Sequence, residues 1–181
     1  MLLETPKCDF GDTAPHFRLP DAHGTIHDLN DHLGDRGVLV AFICNHCPYV
    51  VSLAHRLAAD ARQLVEDGIG VLAINANDYR SYPADAPEKM PAFAATYGFD
   101  FPYLIDEDQS VARAYGAVCT PDFFGFNSDG LLQYRGRLDD ARRGEVTTRT
   151  PELLMAMRQI ADTGTGPHEQ TPSMGCSIKW R

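Results

Sequence analysis

No apolar run in this chain approaches the ~20 residues a membrane-crossing helix requires. Positive charge is also short: 16 Lys and Arg stand against 25 Asp and Glu, for a net charge of −9. Without a basic run, nucleic acid and anionic membrane surfaces are excluded as partners on electrostatic grounds. The opening Met1-Leu2-Leu3-Glu4-Thr5-Pro6-Lys7 has neither a basic n-region nor an extended apolar core. No secretory signal is therefore expected, and the chain reads as cytoplasmic. Cysteine is scarce, with five in 181 residues. A chain of this length buries about 70% of its unfolded surface and needs no disulfide staples. A second CxxC is missing as well, which leaves a four-cysteine zinc site without half of its ligands.

What is present is ordinary for a soluble globular protein, with 44% hydrophobic and 23% charged residues. The most informative stretch is Val38-Leu39-Val40-Ala41-Phe42-Ile43-Cys44-Asn45-His46-Cys47-Pro48-Tyr49-Val50. Its apolar run reads as a buried strand, and Ser52 to Glu66 has helical periodicity, so Cys44 and Cys47 fall on a strand-to-helix turn. Unpaired N–H groups and the dipole at a helix start favour thiolate over thiol. The spacing lets the two sulfurs open and close as a disulfide.

The rest of the chain surrounds that turn with short elements. Phe17 and Leu19 mark a strand, Asp21 to Gly24 a turn, Thr25 to His27 a return strand, and Asp28 to Leu33 one helical turn. Gly70 to Asn75 reads as a second buried strand, with Asn75, Asn77 and Asp78 at its ligand-facing carboxyl end. A helix is expected over Pro87–Tyr97, a strand over Phe101–Ile105, and a helix from Gln109 to Tyr115 capped by Asp108. Asp122 to Phe126 and Leu131 to Arg137 form a hairpin, and Thr150 caps a helix with Pro151 at its first position. No repeat is present. The chain is expected to be one domain over 1–181, with a loose lead-in over 1–10 carrying Cys8 and a tail over 164–181 anchored by Trp180. The fold class is α/β: a three-layer sandwich with a mixed central β-sheet flanked by helices, an N-terminal β extension and a C-terminal tail.

This order of elements, with Thr120-Pro121 opening the late hairpin, resembles the thioredoxin fold. The lead-in Gly11-x-x-Ala14-Pro15-x-Phe17-x-Leu19 resembles the redoxin branch that includes alkyl hydroperoxide reductase and thiol-specific antioxidant proteins. Cys44 to Val50, Cys119 to Phe124, Arg135 to Asp140 and Pro172 to Cys176 together resemble a set of thioredoxin-family proteins across nearly the whole chain.

The resemblance implies a thiol–disulfide oxidoreductase with Cys44 and Cys47 as its catalytic pair and no cofactor or resident metal. Asn45, His46, Pro48, Thr120 and Pro121 would support the pair, with Pro121 following a cis bond across the crevice. Cys119 and Cys176 are candidate additional thiols, although Cys119 also reads as a small buried hydrophobe. Partners would be a disulfide-bearing protein or small molecule and an external dithiol reductant.

Which cysteine attacks is open at this stage. In the resemblance Cys44 does. A helix beginning at Cys47 would instead put Pro48 at its first position, where proline is welcome, and would resemble the peroxiredoxin pattern Thr-x-x-Cys-Pro. A peroxidase reading needs an arginine beside that thiolate, and Arg137 is the candidate; as a structural residue, Arg137 would pair with Asp139 and Asp140. A further alternative is a metallochaperone holding Cu(I) or Zn(II) with the two thiols and His46. The strand offers only Ala41 where classical thioredoxins place a buried aspartate, so proton transfer falls to His46, a solvent water or an acid from elsewhere.

Overall fold

The computed structural model describes residues 1–141 and 148–181. At its centre lies β4 (Val38–Phe42), buried at every residue. β5 (Gly70–Asn75) runs parallel to it on one side, and β8 (Asp122–Phe126) antiparallel on the other. β6 (Tyr103–Ile105) and β9 (Leu132–Tyr134) complete a five-stranded mixed sheet in the order β6-β5-β4-β8-β9. The two-residue period of β4 divides the interior. Leu39 and Ala41 join Leu57, Ala61 and Leu64 of α2 (Pro48–Glu66) and Leu153, Met157 and Ile160 of α5 (Glu152–Thr163). Val38, Val40 and Phe42 face the other way, toward Leu29 of α1 (Leu29–His32) and Val111, Ala112 and Tyr115 of α4 (Ser110–Tyr115). Two cores on the two faces of one sheet give three layers, with α3 (Met90–Tyr97) beside α2.

Two smaller sheets flank this frame. β2 (Arg18–Pro20) and β3 (Ile26–Asp28) form a hairpin. β1 (Leu2–Glu4), β10 (Met174–Ser177) and β7 (Cys119–Thr120) form a three-stranded antiparallel sheet in the order β1-β10-β7. The lead-in over 1–10 is therefore not loose at its start: Leu2 pairs with Cys176 and Glu4 with Met174. The alternation is too short to read in three residues, and the partner strand lies some 170 positions away.

Other local readings shift with hydrogen bonding. Of the two helix starts left open by the sequence, the one with Pro48 at the first position is found: Cys47 is the cap in extended geometry, and Val51 N–H closes on the Cys47 carbonyl at 2.9 Å. Residues 87–89 form a separate 3-10 turn, so α3 is shorter than expected. Asp108 bonds the Ser110 N–H, while buried Asp106 takes the N–H groups of Val111 and Ala112, so the cap of α4 is shared. Thr150 does not cap α5; Pro151 occupies that place without a side-chain bond. The tail is held by Ile178, 3% exposed, whereas Trp180 is 39% exposed and lies under the Arg113 guanidinium.

Candidate active site

β4 leads through Ile43 to Cys44, and three residues later Cys47 caps α2 with Pro48 at the first helical position. Proline has no N–H to leave unpaired there, and its fixed φ suits the first turn. Both thiol residues are 0% exposed. The Thr120–Pro121 peptide is cis, and Thr120 meets both sulfurs. Its hydroxyl lies 3.3 Å from Cys44 Sγ and its carbonyl 3.3 Å from Cys47 Sγ. Asn45, His46, Pro48, Thr120 and Pro121 thus gather around the pair.

The two sulfurs sit in opposite electrostatic environments. The Cys47 thiol is pulled from 9.0 down to about 4. The leading cause is a hydrogen bond donated by the Cys44 thiol, and the Cys176 thiol and the N–H groups of Val50 and Cys176 add to it against the cost of burial. As a thiol, Cys47 donates to the Thr120 carbonyl. Ionisation gives up that bond and gains four donors, and the helix start adds its partial positive charge. Cys44 is pushed well above 9.0, first because it donates to Cys47, then by burial and the nearby Asp85 carboxylate. The arrangement stores one negative charge, on Cys47.

Asp85 is the acid that the strand itself does not supply. It is 0% exposed and lies on a 3-10 turn (Pro83–Asp85) after β5. Its carboxylate accepts from Asn45 N–H at 2.7 Å, His46 Nδ1 at 2.6 Å and Asn77 Nδ2 at 2.9 Å. Asn75 Nδ2 donates to the Asp85 carbonyl, so the end of β5 builds this pocket. His46 stacks on Tyr82 with ring planes 7° apart, and Tyr103 Oη donates to Asn45. Nothing in the sequence around Asp85 marks it, because its role comes from a turn that folds back over the CxxC. One ligand atom each of Cys44, His46 and Asp85 lie within 4.8 Å of one another, close enough to consider a metal ion. Asp85 is already engaged by three donors and Cys44 is held as a thiol, so the trio suits proton exchange better than metal ligation.

The remaining candidates separate clearly. Cys119 is buried, donates to the Pro121 carbonyl at 3.6 Å, and burial pushes its thiol far up. Cys176 lies on β10, opposite Thr120. Burial pushes the Cys8 thiol to about 11. Arg137 does not pair with Asp139 and Asp140; it forms a two-bond pair with Glu152 at 2.7 and 2.9 Å. Asp139 binds Arg56 and Arg149 instead, and Asp140 takes the Thr150 N–H.

A mixed sheet between helices, paired thiols at a helix start and a cis-proline opposite them define a thioredoxin-fold thiol oxidoreductase. Residues 10–135 match the model of the AhpC/TSA family. Over 121 residues the chain is 31% identical to Peroxiredoxin Bcp of Escherichia coli, covering 67% of this chain and 72% of that protein. It is 32% identical over 126 residues to the thiol-disulfide oxidoreductase ResA of Geobacillus thermodenitrificans, covering 68% of this chain and 66% of that one. The crystal structure of an uncharacterized conserved protein from Geobacillus kaustophilus superposes with a TM-score of 0.93 at 40% identity, covering 100% of this chain and 97% of that chain. The chain belongs to the AhpC/TSA family.

Proposed function

We propose that Cys47 is the attacking thiolate of a CxxC couple that reduces disulfides, with Cys44 as the thiol that closes the cycle. The observation that carries this is Cys47 at the cap of α2, receiving a hydrogen bond from Cys44. Attack on a disulfide R–S–S–R would form Cys47–S–S–R and release one thiolate. Cys44, giving its proton toward His46 and Asp85, would then displace the second and leave Cys44–Cys47. The substrate is a disulfide-bearing protein or small molecule, and an external dithiol restores the pair. We place this one-domain enzyme in the reducing cytoplasm, where a dithiol stays available. No helix among the described residues is long and apolar enough to cross a membrane.

Thiol release from oxidised glutathione by the reduced protein tests the order of attack. Cys47→Ser should drop the first release to the rate of a free thiol, while Cys44→Ser should keep it. The opposite pattern would make Cys44 the attacking residue.

A peroxidase reading is favoured by one specific feature, the Cys47–Pro48 helix start, and by the family match. Against it, the Arg137 guanidinium is committed to Glu152. Stopped-flow peroxide consumption decides, with Cys47→Ser as control. If peroxide oxidises the reduced protein no faster than it oxidises a free thiol, the peroxidase reading fails.

A further inference from the structure

The strand edge beside the cis-proline is already taken. β7 ends at Thr120, whose carbonyl faces Cys47. An extended peptide added to such an edge would lay its backbone against Thr120 and present a side chain to the thiols. Residues 174–177 of this chain do so: β10 runs antiparallel to β7, with Cys176 opposite Thr120 and Ser177 opposite Cys119. The Cys176 thiol and its own N–H both hydrogen-bond the Cys47 sulfur.

The seat is built rather than incidental. Gly175 lies so close to the Thr120 carbonyl and the Pro121 nitrogen that a Cβ there would strike backbone atoms. Ser173 Oγ donates to the Pro121 carbonyl at 2.9 Å, and Thr5 and Ser173 exchange bonds at 2.9 and 3.0 Å. Beyond the strand, Ile178 N–H reaches the Val118 carbonyl at 3.1 Å. β1 closes the far side, with Leu2 opposite Cys176. β1 and β10 both lie outside the family match, which covers residues 10–135 and so includes β7 and the cis-proline but not the strand seated on them.

We propose that Cys176 is a second resolving thiol, presented to Cys47 by β10 in the place of a substrate strand, so that oxidation also closes on a Cys47–Cys176 disulfide. This deepens the reading above and rests on Cys47 as the attacking thiolate. With a disulfide substrate, Cys47–S⁻ and R–S–S–R give Cys47–S–S–R and RS⁻. Cys176 then loses its proton, its sulfur attacks that of Cys47, and the second RS⁻ leaves. With a hydroperoxide, Cys47–S⁻ takes one oxygen and releases the alcohol or water. Condensation of Cys47–SOH with the Cys176 thiol then releases water. In both cases two electrons leave the thiol pair, and an external dithiol returns them. Burial, then the bond to the Cys47 sulfur, raise the Cys176 thiol, while Lys179 and the N-terminal amine lower it. Once Cys47 is oxidised its negative charge is gone, and Cys176 ionises more readily as the next nucleophile. A macromolecular disulfide must displace β10 to pair with β7, whereas a small oxidant need not.

The test is mild oxidation of the reduced protein with one equivalent of hydrogen peroxide or oxidised glutathione, followed by acid quench, alkylation and peptide mass mapping. In Cys44→Ser, a near-isosteric change, most oxidised chains should carry a Cys47–Cys176 link. Gly175→Val should lower that link at least tenfold and retain Cys44–Cys47. Should oxidised Cys44→Ser instead hold Cys47 as a diketone-trapped sulfenate or a glutathione adduct, with Cys176 free for alkylation, the inference is overturned. Oxidation that falls on Cys44 in the wild type and spares Cys47 would overturn the underlying assignment of the attacking thiol as well, and fragment masses within the shared Cys44/Cys47 peptide tell the two failures apart by the residue modified.

Discussion

Among the buried carboxylates of this protein, two kinds differ sharply in their partners. Asp122 at the start of β8 is 0% exposed and holds Arg135 with two bonds, at 3.0 and 3.3 Å. Asp60 on α2 is likewise buried and is gripped by Arg149 at 2.6 and 2.8 Å. Asp85 is as deeply buried, yet its partners are two amide donors and the histidine between the two thiols. Around Asp122 and Asp60, which serve the frame, a permanently charged guanidinium neutralises the buried charge. Around Asp85, beside the two sulfurs, the partner is the His46 imidazole, whose second ring nitrogen is left for another contact. A guanidinium pair fixes a geometry; an imidazole–carboxylate hydrogen bond offers a path for a proton.

Breaking the first kind should cost the most stability. Arg135→Met would leave Asp122 buried without its cation, and denaturant unfolding should show a loss of roughly 3–5 kcal/mol. Adding Asp122→Leu should recover most of that loss, since removing both charges relieves the burial penalty that already pushes the Asp122 carboxyl up. Asp85→Asn should cost less, on the order of 1–3 kcal/mol for disturbed hydrogen bonds. Its larger effect should fall on chemistry, slowing closure of the Cys44–Cys47 disulfide by roughly 100-fold through loss of the proton acceptor behind His46. A comparable stability loss with unchanged closure would place Asp85 with the structural carboxylates. Smallest of all should be Arg62→Ala, since its 3.1 Å pair with Asp100 is exposed on both sides. Equilibrium unfolding should move by about 0.5 kcal/mol or less.

The same contrast explains what the sequence made legible. The apolar run over Val38–Phe42 and the stripe along α2 fix the central strand and helix, because burial on a regular element imposes a period on neighbouring residues. Cys44, Cys47 and Pro48 were legible together because all three lie on one turn, and Pro48 marks where the helix begins. Asp85 was not. It sits in a stretch with no period of its own, and only the end of β5, through Asn75 and Asn77, brings it to His46. The exchange of Arg137 from Asp139 and Asp140 to Glu152 has the same origin. A sequence shows which charges are present but not which long side chains reach each other. β1 and β10 escaped for a related reason, as three- and four-residue strands pair across nearly the full chain.

The reduced protein, alkylated with iodoacetamide at a series of pH values and mapped peptide by peptide, tests the central claim most directly. A thiol whose ionisation is depressed remains a thiolate below the ordinary thiol range and loses reactivity only as pH falls toward its own pKa. Cys47 should therefore be modified before Cys44, at a rate nearly level from roughly pH 6 to 8, and should decline only on approach to about 4. Prior modification of Cys44, or a Cys47 rate that climbs through the ordinary thiol range, would contradict the account.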